Sequence, residues 1–480
     1  MLNGNNRPSR PLDVHRWSNH PESNVFVNRI YSEWFEGYSQ AITKKHLKVI
    51  LLDFYVAWKT HPEMMIGIAM SNSFYKANCR YNALYISSKT IGVLKRLLEA
   101  GLVDWEKGYP GFDVFKGKLS QFWATDELIE EFKRVRFGLH DITTFEGRET
   151  IILRDENKKD IPYTDTLETK RMRSLLSDYN HLLTKTFLDI PNLNEPVITI
   201  KTKRKKDKYT HIFITQNEKF ARRVFSNGSW EENGRFYGGW WQRIPSEYRS
   251  KIYINDEPTV EIDYSGLHPV LVYQRKGVDY WKDIKRDPYQ TNIEGLSEED
   301  SREIGKSLLL MSFNLTEEER LFKAVKNELQ ETIPHYKFTF ANLRKVLNDL
   351  RNMHPDIADD MLSGIGLDLM NIDAKIAEHV IARFTQSDIP VLCIHDSFVV
   401  PIKQDGFLRT CMKEAIDKVL SDFKVNTKQV GLGYQQWQGF SHIDFDYFLS
   451  LRDEIANQSV PRSEGYLYRK QQFDEYLKTR

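Results

Sequence analysis

Cysteine is scarce in this chain. Cys79, Cys393 and Cys411 are its three cysteines among 480 residues, and no two of them form a Cys-x-x-Cys pair. Neither a disulfide framework nor a thiolate zinc centre is expected, so metal chemistry would run through oxygen ligands. Long apolar runs are missing as well: no stretch of 18 uncharged apolar residues occurs, and Met1-Leu-Asn-Gly-Asn-Asn-Arg-Pro8 has no apolar core. No membrane span and no export signal are expected, and a cytoplasmic location is. Net charge is close to nil, with 68 basic against 67 acidic residues, so any binding of nucleic acid must rest on local clusters of positive charge.

What is present is apolar material, 40% of the residues, enough for a substantial core in a chain whose length suggests about two to four domains. Two segments share a pattern. Thr259-Val-Glu-Ile-Asp-Tyr-Ser-Gly-Leu-His-Pro269 and Val391-Leu-Cys-Ile-His-Asp-Ser-Phe-Val-Val-Pro401 each run an apolar, β-rich strand up to one aspartate and then turn. Carboxylates delivered on adjacent strand ends suit two Mg2+ or Mn2+ ions that bridge a nucleoside triphosphate and an attacking 3′-hydroxyl. Asp263 and Asp396 are therefore the candidate metal ligands, and the chain reads as a nucleotidyltransferase. Glu261 shares the strand face of Asp263; it reads first as an ordinary outward-facing glutamate, with help to the metal as the alternative.

Ahead of these segments, residues 1–41 mix Pro, Asn, Ser and aromatics without a clear period and are expected to form an irregular arm. Residues 42–140 then carry an apolar helix from Lys44, and a second helix capped by Ser87 or Ser88 with Ile91, Leu94, Leu97 and Leu98 on one face. Gly101 closes that helix before a strand, a turn at Gly108-Tyr-Pro-Gly111, a return strand near Gly117–Ala124 and a helix from Thr125. This order resembles a winged-helix domain. The resemblance implies nucleic-acid binding or protein docking, with Lys89, Lys95 and Arg96 as candidate contacts on the exposed side of the second helix. Residues 141–232 read as a connector with a thumb-like region, including a helix over Leu167–Leu183 and two β-prone stretches, Val197–Lys201 and Tyr209–Thr215. Between those stretches Lys203, Arg204 and Lys205 belong to a basic run that would either neutralise phosphates or form a solvated loop.

The remainder, 233–480, carries four motifs in one order. Asn233-Gly-Arg-Phe-Tyr-Gly-Gly-Trp-Trp-Gln-Arg-Ile-Pro-Ser-Glu-Tyr-Arg249 leads into the Asp263 strand, Arg302-Glu-Ile-Gly-Lys306 opens an apolar helix, and His395-Asp396 forms a turn between strands. This arrangement resembles family A DNA polymerases and the single-subunit phage-type RNA polymerases, and is most similar to compact polymerase-like proteins of bacterial mobile elements and phages. The resemblance implies an α+β right-hand palm with small fingers and a minimal thumb behind the winged helix. It makes Asp263, Asp396 and the backbone carbonyl of Tyr264 the ligands of two Mg2+ or Mn2+ ions. Arg302 and Lys306, four residues apart on one helical face, would hold the triphosphate, with Leu310 and His268 also at the nucleotide. Arg235 and His395, supported by Arg243 and Arg249, would contact the primer–template duplex.

Departures qualify the implied substrate. His268 stands where a DNA-specific relative has a glutamate that excludes the 2′-hydroxyl, Asp396 is followed by Ser397 rather than a glutamate, and Leu310 replaces an aromatic residue. The expectation is a template-directed DNA polymerase or primase-polymerase of a mobile element or phage, working with nucleic acid, nucleoside triphosphates and element-encoded replication proteins. The alternatives are an RNA polymerase or primase on the same palm, and a non-catalytic DNA-binding replication initiator with a degenerate palm.

Overall fold

A computed structural model describes residues 7–109, 117–201, 209–420, 427–431, 434–437 and 460–479. It is a mixed α/β protein, 48% helical and 16% strand, with its strands in several small sheets. Among the described residues no helix is long and apolar enough to cross a membrane.

The chain opens with β1 (Ser9–Pro11), β2 (Arg16–Trp17) and α1 (Pro21–Trp34). Residues 1–41 were expected to be irregular; the described part is instead built into the fold. His20 caps α1 by accepting from the Glu22 N–H at 3.3 Å, Pro21 takes the first helical position, and Phe26, Val27 and Ile30 bury one stripe. The stripe is interrupted by Asn and Ser, and histidine is outside the usual capping set, which is why the period does not stand out in the sequence. α2 (Gln40–Thr60) holds this segment down through Asp53, a fully buried carboxylate that receives Arg10 at 2.7 and 2.8 Å and Arg16 at 3.3 Å. A buried carboxylate without those cations would be costly.

β3 (Met65–Ile68), α3 (Lys89–Glu99), β4 (Val103–Glu106), β5 (Ser120–Ala124) and α4 (Asp126–Lys133) complete an amino-terminal lobe with sheet order β1-β3-β5-β4. Its hydrophobic core runs from Phe26 to Ile142 and is separate from the main core. β6 (Thr143–Thr144) pairs back onto β2.

The second body contains β7 (Ile151–Leu153), α5 (Leu167–Thr184), β8 (Leu188–Asp189), the hairpin β9 (Val197–Lys201) and β10 (Tyr209–Phe213), then β11 (Arg222–Phe225) and β12 (Asn233–Tyr237). It continues with α6 (Ser246–Arg249), β13 (Tyr253–Ile254), β14 (Glu257–Tyr264), α7 (Leu267–Arg275), α8 (Glu298–Ser312), α9 (Glu318–Leu329), α10 (Phe340–Met353) and α11 (Gly366–Gln386). Last come β15 (Leu392–Ile394), β16 (Ser397–Pro401), α12 (Asp405–Leu420), β17 (Thr427–Gly431), β18 (Tyr434–Trp437) and α13 (Glu464–Lys478). The principal sheet has the order β15-β16-β14-β13-β8, with β17 also on β14. Met172, Leu176 and Tyr179 of α5 share one core with β14, α8 and α11, and the Tyr179 hydroxyl donates to the Val391 carbonyl at 2.7 Å. The segment 141–232 is thus packed into the same body as the aspartate strands.

α13 bridges the two bodies. Arg469 pairs with Asp189 at 2.7 Å, Tyr466 donates to Asp256 at 2.7 Å, and Phe473 meets the His140 ring at 5.3 Å.

Candidate active site

Strand register brings the two aspartates together. β14 and β16 run antiparallel with Asp263 opposite Ser397, so the residue before Ser397 lies beside Tyr264, whose N–H faces the Asp396 carbonyl at 3.5 Å. His395 and Asp396 are the two-residue turn between β15 and β16, and His395 takes a left-handed φ of +60°. The turn is braced from behind: the Cys393 carbonyl accepts from Trp241 at 3.1 Å and from Gln242 at 2.9 Å, both from the segment after β12. Ile262, Phe398, Val399 and Val400 are completely buried, which fixes the strands that carry the carboxylates, and both aspartates remain partly accessible.

A third group lies within reach of both charges. Tyr289 is buried, and its phenol is pushed to a higher pKa by burial first and then by the nearby charges of Asp396 and Asp263, so it stays a protonated donor. The sequence reading missed Tyr289. Its signal is only a short Asp287-Pro288-Tyr289 turn, in which the Tyr289 N–H donates to Asp287 at 2.8 Å. Gly266, with a φ of +63°, lets this turn approach the end of β14, since a Cβ there would meet the Pro288 ring at 2.9 Å.

α8 delivers the cations. Ser297 caps it by accepting from the Asp300 N–H at 3.0 Å. Arg302 donates to Asp287 at 2.7 Å and lies over the Tyr289 ring at 5.3 Å, and Lys306, half-buried one turn later, makes no ion pair among the described residues. Gly305 between them carries no side chain because a Cβ would collide with the Tyr289 carbonyl oxygen. Leu310 is partly buried against the main core.

On the other side, Arg235 of β12 and His268 of α7 converge on Asp373 of α11. Arg235 Nε lies 3.0 Å from both Asp373 oxygens, its Nη2 also pairs with Asp373, and His268 Nε2 is 2.9 Å from the same carboxylate. Burial raises the Asp373 pKa, but the hydrogen bonds from His268 and Arg235 outweigh it and the carboxyl ends below its ordinary value. Asp373 is thus the buried anion on which Arg235 and His268 meet. His268 is itself buried, with Nε2 engaged by Asp373 and Arg235 and only Nδ1 left to meet a further partner. His395 packs edge-on to Tyr237 at 5.7 Å; burial, then Arg235, lower its pKa, so it is neutral near pH 7.

The remaining candidates lie elsewhere. Glu261 is not outward-facing: it is buried, held by Arg249 at 3.0 and 3.2 Å, and accepts from the Ser397 hydroxyl at 2.7 Å. A strand buried on both faces leaves no outward side, a fact that alternation alone does not reveal. Arg249 is accordingly tied to Glu261 within the aspartate strand, and Arg243 is exposed and paired with Glu218. In the amino-terminal lobe Lys89 and Lys95 are exposed, while Arg96 donates to the Trp34 carbonyl at 2.6 Å and pairs with Glu99. Lys203, Arg204 and Lys205 fall outside the described residues.

Among the described residues no group of three or more His, Cys, Asp or Glu side chains gathers as a metal centre. The donor set at the strand ends is two carboxylates with backbone oxygen nearby, which suits Mg2+ when substrate phosphates and water complete its shell. A cavity of about 790 Å³ lined by Arg171, Arg223 and Glu378 lies around α11 from Asp373, and neither the two aspartates nor Tyr289, Arg302 and Lys306 line it. No family model matches the chain, and no curated protein matches it.

Proposed function

We propose that the chain is a template-directed nucleotidyltransferase, a DNA polymerase or primase-polymerase of the right-hand type with a winged-helix lobe at its amino-terminal side. One observation carries the reading: the β14–β16 register sets Asp263 and Asp396 side by side at one strand end, with Arg302 of α8 over Tyr289, whose phenol feels both carboxylates, and Lys306 one turn further along that helix. Asp263 and Asp396, with the Tyr264 carbonyl, would hold two Mg2+ or Mn2+ ions. Such ions supply Lewis-acid activation of a 3′-hydroxyl and neutralise phosphate charge.

In the proposed reaction the primer 3′-oxygen bonds to the α-phosphorus as the bond to pyrophosphate breaks, and the hydroxyl proton passes to solvent. Lys306 and Arg302 stabilise the charge that grows on the leaving pyrophosphate. Arg235 and His395 lie where the primer end would rest, and His268 would reach the sugar through Nδ1. With its Nε2–H given to the Asp373 carboxylate, the neutral ring presents Nδ1 as an acceptor to which a 2′-hydroxyl can donate, without the negative charge of a carboxylate at that position. This favours a second reading on the same site, a ribonucleotide-using primase or RNA polymerase.

The test is labelled-nucleotide extension of a primed template, run with dNTPs, with NTPs and without primer. Wild-type chain should extend, and Asp263→Ala and Asp396→Ala should each fall below about one-tenth of its rate while remaining folded. A variant that keeps wild-type incorporation would remove that carboxylate from the reaction.

A further inference from the structure

Between Glu63 and Glu99 the chain has no acidic residue, although 67 of its 480 residues are acids. The same stretch holds Lys76, Arg80, Lys89, Lys95 and Arg96. Two of these are occupied within the fold: Arg80 pairs with Glu149 and Asp165 at 2.9 Å each, and Arg96 is held by Trp34 and Glu99. Lys76, Lys89 and Lys95 are exposed and make no ion pair among the described residues. Lys45 of α2 adds a fourth charge, its ammonium 5.8 Å from the Tyr85 ring.

Aromatic rings stand among these lysines. Phe74 is 63% exposed and Tyr85 59%, in a lobe that buries Phe26, Phe35, Phe54, Phe122 and Phe132. Tyr85 sits at a left-handed φ of +53°, a conformation uncommon for a large side chain, and its N–H is held by the Asn82 carbonyl at 2.8 Å. The Asn82 side chain donates to the Lys76 carbonyl at 3.1 Å and to the Ile86 carbonyl at 2.7 Å, and accepts from the Ile86 N–H at 2.9 Å. One side chain therefore clamps the Lys76 and Tyr85 ends of the loop together. Folding does not account for a loop held at its ends by Asn82 that presents rings to solvent among lysines with no ion pair among the described residues.

We infer that this loop, with the amino-terminal end of α3, is a binding site for single-stranded nucleic acid, in which bases stack on Phe74 and Tyr85 and phosphates lie along Lys45, Lys76 and Lys89. Stacking on exposed rings needs bases that are not paired with a second strand, and every base offers a face. The exposed side of α3 is a poor reader of a duplex groove, since it presents Lys89, Gly92, Lys95 and Glu99 and no amide side chain. The site belongs to the amino-terminal lobe and does not depend on the chemistry proposed at Asp263 and Asp396.

The test is fluorescence anisotropy of a labelled oligo-deoxythymidine with the whole chain, in EDTA and without nucleotide, against a hairpin duplex of equal charge. Single strand should bind more tightly than duplex. Phe74→Ala and Tyr85→Ala should each weaken it about tenfold, Tyr85→Phe should bind like wild type, and Lys89→Gln should lower the slope of log K against log salt by about 0.7. Crosslinks from a 4-thiothymidine oligomer should map to residues 74–89. No binding at low salt, equal or tighter binding of duplex, alanine variants within about twofold of wild type, or crosslinks confined to the β14–β16 turn would each overturn the inference. A chain that binds as described but incorporates no nucleotide keeps this site and loses the catalytic reading; one that incorporates but fails these tests does the reverse.

Discussion

Asp373 shows how one carboxylate organises several residues. It accepts from Arg235 and His268 in a buried setting, and both partners also face the turn that carries His395 and Asp396. Asp373→Asn keeps the shape and removes the charge, leaving a buried guanidinium against a neutral amide. Removing one partner of such a pair typically costs about 3–5 kcal/mol, and urea unfolding at pH 7 should show a loss of that order. The sign with pH follows from the lowered carboxyl pKa: the contribution is complete above the unfolded value of about 3.9 and disappears as pH falls through the lower folded value. A variant within about 1 kcal/mol of wild type would mean that Arg235 finds water or another acceptor.

Two elements are placed by contacts that a single substitution can probe. α8 lies against the Tyr289 turn through Gly305. Alanine in an exposed helix interior is more stable than glycine by about 1 kcal/mol, but here the added methyl meets a backbone carbonyl that cannot swing away. Gly305→Ala should therefore destabilise by about 1–3 kcal/mol and, by lifting Arg302 and Lys306 off the turn, slow incorporation under the proposed function. Unchanged or raised stability would show that the helix shifts without cost.

α13 offers a pH readout. The His140 ring packs against Phe473 and Tyr476, and burial, then Lys219, lower its pKa to about 4, while Asp141 opposes this. Its unfolded value is about 6.5, so the unfolded state takes up the proton first, and stability should decline as pH falls from about 6.5 to about 4 and level off below. Amide protection factors over 464–478 should fall across that interval, and His140→Phe should flatten the response. Equal pH dependence in both proteins would assign the effect to another group.

At the scale of the molecule, the amino-terminal lobe has its own core of residues from Phe26 to Ile142, and meets the second body through polar contacts such as Arg80 with Glu149 and Arg16 with the Asn217 carbonyl and through Phe213, which packs on that core. A fragment of residues 1–145 should fold alone and unfold cooperatively, at a lower temperature than the whole chain because those contacts and α13 are lost. A fragment with no cooperative transition would show that the lobe needs its neighbour.

Local structure was largely legible in the sequence. The helix expected over Leu167–Leu183 is α5, the helix after Ser88 is α3, and the strands leading to Asp263 and Asp396 are β14, β15 and β16, because apolar periodicity and turn residues act over a few positions. α1 escaped because its cap is a histidine and its stripe is broken by polar residues. Which strand pairs with which, and in what register, was decided by the tertiary structure: Asp263 comes to Asp396 and Arg235 to Asp373 through packing between segments distant in sequence, and Glu261 to Arg249 through the packing of α6 on β14. The same holds for Tyr289, an aromatic in a plain loop until Gly266 and Gly305 let that loop close on the two aspartates. Short-range patterns set elements, whereas side-chain pairing across the core depends on which faces meet, and only burial settles that.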